Sequence, residues 1–144
     1  SYNRGCVGIG DVVDGRDRLG DEEVCHLAGG DAAVVMALAH GTGGVADDKI
    51  MLDPGVGFGK TYEMNLAAIN HVDVLHRLGF PILLGTSRKS VIGNTLNLPA
   101  DQRVEGTLAT SVIGVMKGCS FVRVHDVKEN RRVIQMTEAI LGRR

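Results

Sequence analysis

Polar side chains lie in the last residues of three apolar segments of the chain or shortly after them. The segments are residues 50–52, 80–85 and 121–124. The polar side chains are Asp53, Lys89, Ser90, Arg123 and His125. Ligands of parallel sheets and barrels bind at the carboxyl ends of the strands, so these side chains are candidates for one shared site. A carboxylate with Lys, Arg and His suits a ligand that joins a donor-rich heterocycle to an anionic group.

The segment 49–60, KIMLDPGVGFGK, predicts a buried strand, a turn and a glycine-rich loop. Gly55, Gly57 and Gly59 can adopt positive φ, which lets the backbone come close to a ligand. An alternative is a connector whose Asp53 only caps a helix. A phosphate-binding P-loop is disfavoured, because Pro54 occupies the position where the motif that ends in Gly59-Lys60-Thr61 requires glycine.

Composition narrows the classes of function. The chain has 144 residues, 44% apolar, with 3% aromatic residues, no Trp and a net charge of −1. We therefore expect one domain and no electrostatic attraction to nucleic acid or membrane. The three cysteines, Cys6, Cys25 and Cys119, form no paired or metal-binding pattern. They predict reduced thiols in a cytoplasmic protein, and the N-terminal sequence does not resemble a signal peptide.

Apolar runs alternate with helical patterns, which predicts a parallel sheet and the α/β class. Strands are predicted at 6–13, 32–39, 49–52, 80–85 and 121–124, and helices at 21–27, 62–78, 101–116 and 128–141. The residues expected on the buried helix faces are Leu66, Ile69, Val72, Leu75, Val104, Leu108, Ser111, Val112, Val115, Val133, Met136, Ile140 and Leu141. One conflict arises, because residues 41–48 are too short for a crossover between parallel strands. Either that pairing is unusual or a helix is missing.

The candidate residues also have structural interpretations. Arg88 and Lys89 could be a solvated pair in a loop, and His125 could bond locally to Asp126. His40, which ends the run 32–39, is interpreted as structural, since no second ligand is spaced to join it in a metal site.

Three motifs together resemble dihydropteroate synthase, a folate-pathway family of the TIM-barrel (β/α)8 type. They are LDPGVGFGKT, PILLGTSRKSVIG and FVRVHDV, in this order with helices between them. The resemblance extends over residues 49–144, where EGTLATSVIGVMKG is similar to the penultimate helix region of the family. Upstream, residues 32–40 resemble the fifth barrel strand and residues 7–13 the fourth, with Gly10 where the family has a pterin-contacting Asn.

The resemblance implies that the chain condenses 6-hydroxymethyl-7,8-dihydropterin pyrophosphate with p-aminobenzoate and releases pyrophosphate. Asp53 and Lys89 would be the catalytic residues that bind the pterin, and Phe58 would pack beside Lys89. Ser90 would bind the p-aminobenzoate carboxylate, and Arg123 and His125 would bind the pyrophosphate. Mg²⁺ and a homodimer are also implied, although the family's usual metal ligand has no counterpart here.

The resemblance also implies a fold with departures from the family. Residues 1–144 would form a single pterin-binding domain that corresponds to barrel strands four to eight, an incomplete barrel of about five strands. Strands one to three, with their metal, pyrophosphate and pterin ligands, have no counterpart. Two alternatives stay open: another pterin-binding barrel, such as a methyltetrahydrofolate methyltransferase, or an inactive chain that binds pterin or a partner. Pyrophosphate chemistry favours the synthase, because it needs the Arg and the His.

Overall fold

Three parallel segments form the centre of the computed structural model, which describes residues 6–8, 12–13, 24–27, 34–37, 48 and 50–143. Leu52 pairs in parallel with Ile82. Strand β5 (Leu83–Leu84) pairs in parallel with β6 (Phe121–Arg123). The predicted adjacency and direction of these three segments are confirmed. Because they are parallel, their carboxyl ends lie at the same end of the sheet.

The strands on the side of the sheet beyond β6 differ from the prediction. Residues 6–13 were expected to form one parallel strand, but they contain β1 (Cys6–Gly8) and β2 (Val12–Val13), which pair antiparallel with each other. Strand β1 also pairs antiparallel with β6, so the sheet has the order β2-β1-β6-β5 and is mixed. The match of residues 7–13 to a parallel fourth barrel strand is therefore wrong in direction.

A separate two-stranded antiparallel sheet is formed by β3 (Val24–Leu27) and β4 (Val34–Ala37). The predicted helix is thus wrong at residues 24–27, which pair as a strand with residues 34–37. The predicted strand is confirmed in type at residues 34–37, but it pairs with β3 and not with the parallel sheet. This pairing removes the conflict over residues 41–48, since no parallel crossover is needed. His40 lies outside the described residues.

Helices cover the sheet in the rest of the described chain. They are α1 (Tyr62–Asn70), a 3₁₀ helix (Val72–Leu78), α2 (Ser90–Leu96), a 3₁₀ helix (Ala100–Gln102), α3 (Val104–Met116) and α4 (Val127–Ile140). The Thr61 hydroxyl caps α1 by accepting a bond from the Met64 N–H. The predicted helix at 62–78 is interrupted at His71, where β-branched and polar residues of low helix propensity begin.

The core lies between the parallel segments and the helices. Its fully buried side chains include Leu52, Val56, Ile82, Leu84 and Val122. Removing a side chain of this kind from water contributes about 1.5–3 kcal/mol. Because Val122 and Val124 both face this core, Arg123 and His125 lie on the opposite side of the strand, as predicted.

The buried helix faces agree with the sequence only in part. Ile69, Val72, Leu75, Ser111 and Val115 are buried as expected. Among the expected residues, Val104, Leu108, Val112 and Val133 are half-buried, whereas Leu66, Met136, Ile140 and Leu141 are exposed.

The buried contact between α3 and α4 includes polar residues that the sequence pattern did not predict. Asn130 and Thr137 are buried in α4, and Thr107 and Gly114 are buried in α3. The hydroxyl of Ser111 donates to the Asn130 side-chain oxygen at 2.6 Å, and the Asn130 amide donates to the Asp126 carbonyl at 2.8 Å. Satisfied polar groups can be buried at low cost, which hydrophobic periodicity alone does not predict.

Within the described ranges, no helix is long and apolar enough to span a membrane.

We expect Cys119 to resist alkylation in the folded chain. The side chain is buried just before β6, and burial raises the pKa of its thiol to about 12. Since the thiolate is the reactive species, iodoacetamide at pH 8 should modify Cys119 slowly until denaturant is added. Peptide mass spectrometry at successive times measures this. Equal labelling rates in the folded and denatured chain would contradict the buried position.

Candidate functional site

The glycine-rich loop after the Leu52 segment holds the candidate carboxylate. Asp53 is partly exposed, and its Oδ1 accepts a bond from the Gly55 N–H at 2.7 Å. Among the described residues, no group bonds to Oδ2. The backbone has positive φ at Gly55, Gly57 and Gly59, as the sequence predicted. One carboxylate oxygen is therefore fixed by the loop and the other can accept a bond from a ligand.

Two further residues, which the sequence analysis did not select, shape this loop. Lys60 Nζ donates to the carbonyls of Gly55 at 2.8 Å and Phe58 at 3.3 Å. Desolvation lowers the pKa of Lys60, and the charge of Asp53 opposes this. The buried Asn65 accepts a bond from the Gly57 N–H at 2.8 Å. A polar residue on the otherwise apolar face of α1 was the signal that could have identified Asn65.

Lys89 connects the next strand end to the same loop. Its Nζ donates to the Val56 carbonyl and lies 4.8 Å from the centroid of the Phe58 ring. Its aliphatic stem passes so close to Gly57 that a Cβ there would lie 3.1 Å from Lys89 Cδ. Lys89 is therefore more than one of a solvated pair in a loop, because its stem is packed against the glycine-rich loop and only part of the side chain is exposed.

The side chain of Lys89 is partly desolvated and lies among other charged groups. Desolvation is the largest influence and lowers the pKa of Lys89, and the positive charges of Arg123 and Lys60 lower it further. The charge of Asp53 acts in the opposite direction. Four charged groups from three strand ends thus influence one another, which places them in one electrostatic environment.

Arg88 holds the loop before Lys89 in an unusual conformation. Its φ is 57°, a left-handed value that disfavours residues with a side chain. Its guanidinium forms two hydrogen bonds with the Asp126 carboxylate, which raises the pKa of Arg88. The backbone N–H of Arg88 donates to the Thr107 hydroxyl at 3.1 Å, and its backbone carbonyl accepts a bond from the Arg103 side chain at 2.9 Å. The proposed solvated pair is therefore wrong for Arg88, which is anchored on both sides.

We expect Arg88→Ala to destabilise the fold by about 1–3 kcal/mol, because a fork of charge-assisted hydrogen bonds is lost and the left-handed strain stays. Arg88→Gly should cost about 1 kcal/mol less, since glycine adopts this φ without strain. Urea unfolding of the two variants measures the difference. A glycine variant no more stable than the alanine variant would show that the left-handed backbone contributes no strain here.

Arg123 and His125 extend from the same side of β6. An added Cβ on Gly85 would lie 3.2 Å from an Arg123 nitrogen, so the arginine crosses the end of β5. Within the described ranges, Arg123 forms no ion pair with a carboxylate. The His125 ring bonds through Nδ1 to the Ser87 hydroxyl at 2.8 Å. The local bond between His125 and Asp126 is thus not formed, since Asp126 bonds to Arg88.

Ser90 is the first residue of α2 and is exposed, as predicted for a helix start. It lies next to Lys89 in the chain, and Phe58 is 60% exposed on the facing loop. All six candidate residues therefore lie at the carboxyl ends of the three parallel segments or just after them, with Arg123 as the last residue of β6 and Ser90 as the first of α2. They provide one hydrogen-bond-accepting carboxylate, an aromatic face and cations that could bind an anion.

A metal ion held by the protein does not fit this region. No group of three or more His, Cys, Asp or Glu side chains is close enough to bind a metal in the part of the chain that the structure describes. Mg²⁺ prefers oxygen ligands, whereas Arg123 and His125 offer nitrogen donors. The metal implied by the resemblance has no protein ligand set among these residues.

Comparison with known proteins identifies, for most of the chain, the family that the three sequence motifs resemble. A family model described as "Pterin binding enzyme" matches residues 31–125. The dihydropteroate synthase of Clostridium beijerinckii is 62% identical over 101 residues, which cover 69% of this chain and 38% of that protein. A crystal structure of the Clostridium difficile dihydropteroate synthase, solved with pteroic acid, matches with a TM-score of 0.65 and 55% identity, covering 67% of this chain and 37% of that one.

A relative with a different description also matches. The "Inactive dihydropteroate synthase 2" of Mycobacterium tuberculosis is 40% identical over 99 residues, covering 69% of this chain and 31% of that protein. The chain thus spans about a third of the length of these relatives. Since the family model matches more than half of the chain, the chain belongs to the family of pterin binding enzymes.

Proposed function

We propose that this chain carries the pterin- and pyrophosphate-binding part of a dihydropteroate synthase. The supporting observation is that Asp53, Lys89, Arg123 and His125 lie at or just after the carboxyl ends of three adjacent parallel segments. The reaction joins the amine nitrogen of p-aminobenzoate to the exocyclic methylene carbon of the dihydropterin. The carbon–oxygen bond breaks, pyrophosphate leaves with the electron pair, and the amine loses a proton.

Asp53 binds the pterin ring in this proposal. A carboxylate can accept two parallel N–H bonds from the 2-amino-pyrimidine edge of a pterin. The Gly55 N–H fixes the orientation of the carboxylate, and Lys60 and Lys89 lie in its field. If carbon–oxygen cleavage precedes attack, the negative charge of Asp53 also stabilises the cation that develops on the pterin.

Arg123 and His125 bind the pyrophosphate. A guanidinium donates forked hydrogen bonds to phosphate oxygens, and an imidazole adds a donor. The position of the Arg123 side chain across the end of β5 supports this role, because it puts the guanidinium at the strand ends. Mg²⁺ would supply positive charge that neutralises the leaving pyrophosphate, and no step assigned to these residues depends on it.

The p-aminobenzoate is assigned to the surface formed by Phe58, Lys89 and Ser90. The exposed Phe58 ring offers an apolar face, and the Lys89 ammonium lies against it. The hydroxyl of Ser90, at the start of α2, would donate to the carboxylate of the substrate. This arrangement puts the amine of p-aminobenzoate beside the pterin site.

The wider assembly is also part of the proposal. The parallel segments would belong to a (β/α)8-type barrel to which residues 1–144 contribute the C-terminal portion as a single domain, and the protein would be cytoplasmic. The whole active site would include the family's first three strands. Exposed apolar side chains on the adjacent helices α3 and α4 support a homodimer through this face. They are Ile113, Met116, Met136 and Ile140.

We expect Lys89→Met to reduce affinity for pterin and p-aminobenzoate roughly tenfold or more, from the loss of a charge-assisted donor worth about 1.5–3 kcal/mol. Methionine keeps an unbranched stem against Gly57, so the fold should stay stable. Lys89→Ala should lose the same affinity and also some loop stability. Calorimetry with both ligands, together with thermal unfolding, separates the two effects. Unchanged affinity in both variants would contradict the role of Lys89.

The proposed function is tested by adding the pterin pyrophosphate and p-aminobenzoate to the purified chain and measuring pyrophosphate and dihydropteroate. Formation of both products supports a synthase. Pterin binding without product indicates an inactive pterin-binding chain, as the description of the mycobacterial relative suggests. Methyl transfer from methyltetrahydrofolate without pyrophosphate release would favour the methyltransferase alternative. Absence of pterin binding would contradict the proposal.

A further inference from the structure

Among the residues that the structure describes, the buried Ser87 hydroxyl has two hydrogen-bond contacts, and both are with His125. Its oxygen accepts a bond from the His125 backbone N–H at 3.1 Å. The same oxygen lies 2.8 Å from Nδ1 of the His125 ring. Ser87 is 8% exposed, so water has little access to it. One side chain from the loop after β5 therefore contacts the backbone and the ring of a residue after β6.

The number of protons determines the direction of the second bond. A hydroxyl has one proton to donate, and the backbone N–H of His125 already uses the oxygen as an acceptor. If Nδ1 carried a proton, both contacts would be bonds to the oxygen, and the hydroxyl proton would need another acceptor. Ser87 bonds to no other group in the described ranges. A buried donor without an acceptor is costly, so the Ser87 hydroxyl donates to Nδ1.

We propose that Ser87 is a positioning residue that holds neutral His125 in the Nε2–H tautomer and fixes its ring at the strand ends. The Nε2–H then lies on the side of the ring away from Ser87, on an exposed side chain. Among the described residues, no group bonds to Nε2. A donor fixed in this way is ready to bind an anionic oxygen without reorientation.

The same arrangement would keep the donors of Arg123 and His125 directed at one anion. His125 lies two residues after Arg123 in the chain, so both side chains leave the strand on one side. Without Ser87 the imidazole could rotate and exchange tautomers, and its donor would face the anion only part of the time. The role toward pyrophosphate rests on the proposed function, whereas the tautomer does not.

The tautomer is measured directly by long-range ¹H–¹⁵N correlation of the histidine ring in the ligand-free chain, at a pH where the imidazole is neutral. His125 is assigned by comparison with His125→Gln. We expect an unprotonated Nδ1 and a protonated Nε2. Ser87→Ala should give a mixture of tautomers, and Ser87→Thr, which keeps the hydroxyl, should restore the pattern. An Nδ1–H tautomer in the parent chain overturns the inference, whatever the variants do.

Binding of inorganic pyrophosphate tests the consequence. Ser87→Ala should reduce affinity about three- to tenfold, Ser87→Thr should recover most of it, and Ser120→Ala, at the other end of β6, should leave it unchanged. Unchanged affinity in Ser87→Ala overturns the positioning role. A parent chain that shows the Nε2–H tautomer but does not bind pyrophosphate contradicts the proposed function and supports the tautomer inference, so the two failures are distinguishable.

Discussion

Replacing Asp53 by asparagine is expected to weaken binding of both the pterin pyrophosphate and the plain pterin, by roughly ten- to a hundredfold. The amide presents a donor where the pterin edge also has donors, and a lost charge-assisted hydrogen bond costs about 1.5–3 kcal/mol. The amide oxygen can still accept the bond from the Gly55 N–H, so the loop should keep its conformation. Calorimetric titration of both ligands into the parent and the variant measures the effect.

A matched carboxylate-to-amide change gives the control. Asp73 is an acid of the 3₁₀ helix that pairs with Lys117 at 3.5 Å, just before β6 and so at the opposite edge of the sheet. Asp73→Asn should leave the affinity for both ligands unchanged. If Asp53→Asn bound the two ligands as tightly as the parent does, Asp53 would be a loop-capping residue only, the alternative that its motif left open.

Replacing Arg123 by alanine is expected to weaken the pyrophosphate form roughly ten- to a hundredfold and to leave the plain pterin almost unaffected. The guanidinium is proposed to contact only the phosphate oxygens, and Asp53 and Lys89 stay in place to bind the ring. Because phosphate binding is electrostatic, the affinity of the parent for the pyrophosphate form should also fall with salt more steeply than that of the variant.

Arg132→Ala is the matched control for this change, since Arg132 is an exposed arginine on α4. It should alter neither affinity. Equal losses for both ligands in Arg123→Ala would mean that the residue does not distinguish the leaving group from the ring. The assignment of the pyrophosphate site to Arg123 would then fail, although the pterin site would stand.

The parallel core and its strand ends could be predicted because each strand combines two strong local signals. Residues 50–52, 80–85 and 121–124 are short apolar runs, and each ends in polar or glycine-rich sequence. The alternation around Val122 and Val124 also predicted that Arg123 and His125 share a side. Gly55, Gly57 and Gly59 likewise have the positive φ that their sequence allowed.

The other features of the fold and site depend on contacts between residues that are distant in the chain, which a pattern in one segment does not encode. Whether residues 24–27 form a helix or a strand is decided by the neighbouring strand at residues 34–37. The buried polar face of α4 exists because Asn130 finds Ser111 on α3. The anchors of the site, Arg88 with Asp126 and Ser87 with His125, each join residues 38 positions apart in the chain.

The central claim is that a pterin binds on Asp53 while a pyrophosphate binds on Arg123 and His125 at the same sheet edge. A crystal structure of the chain with 6-hydroxymethylpterin and inorganic pyrophosphate tests this most directly. We predict the 2-amino-pyrimidine edge on the Asp53 carboxylate, and pyrophosphate oxygens within hydrogen-bond distance of the Arg123 guanidinium and His125 Nε2. A pterin bound away from Asp53, or a pyrophosphate bound away from Arg123, would contradict the account.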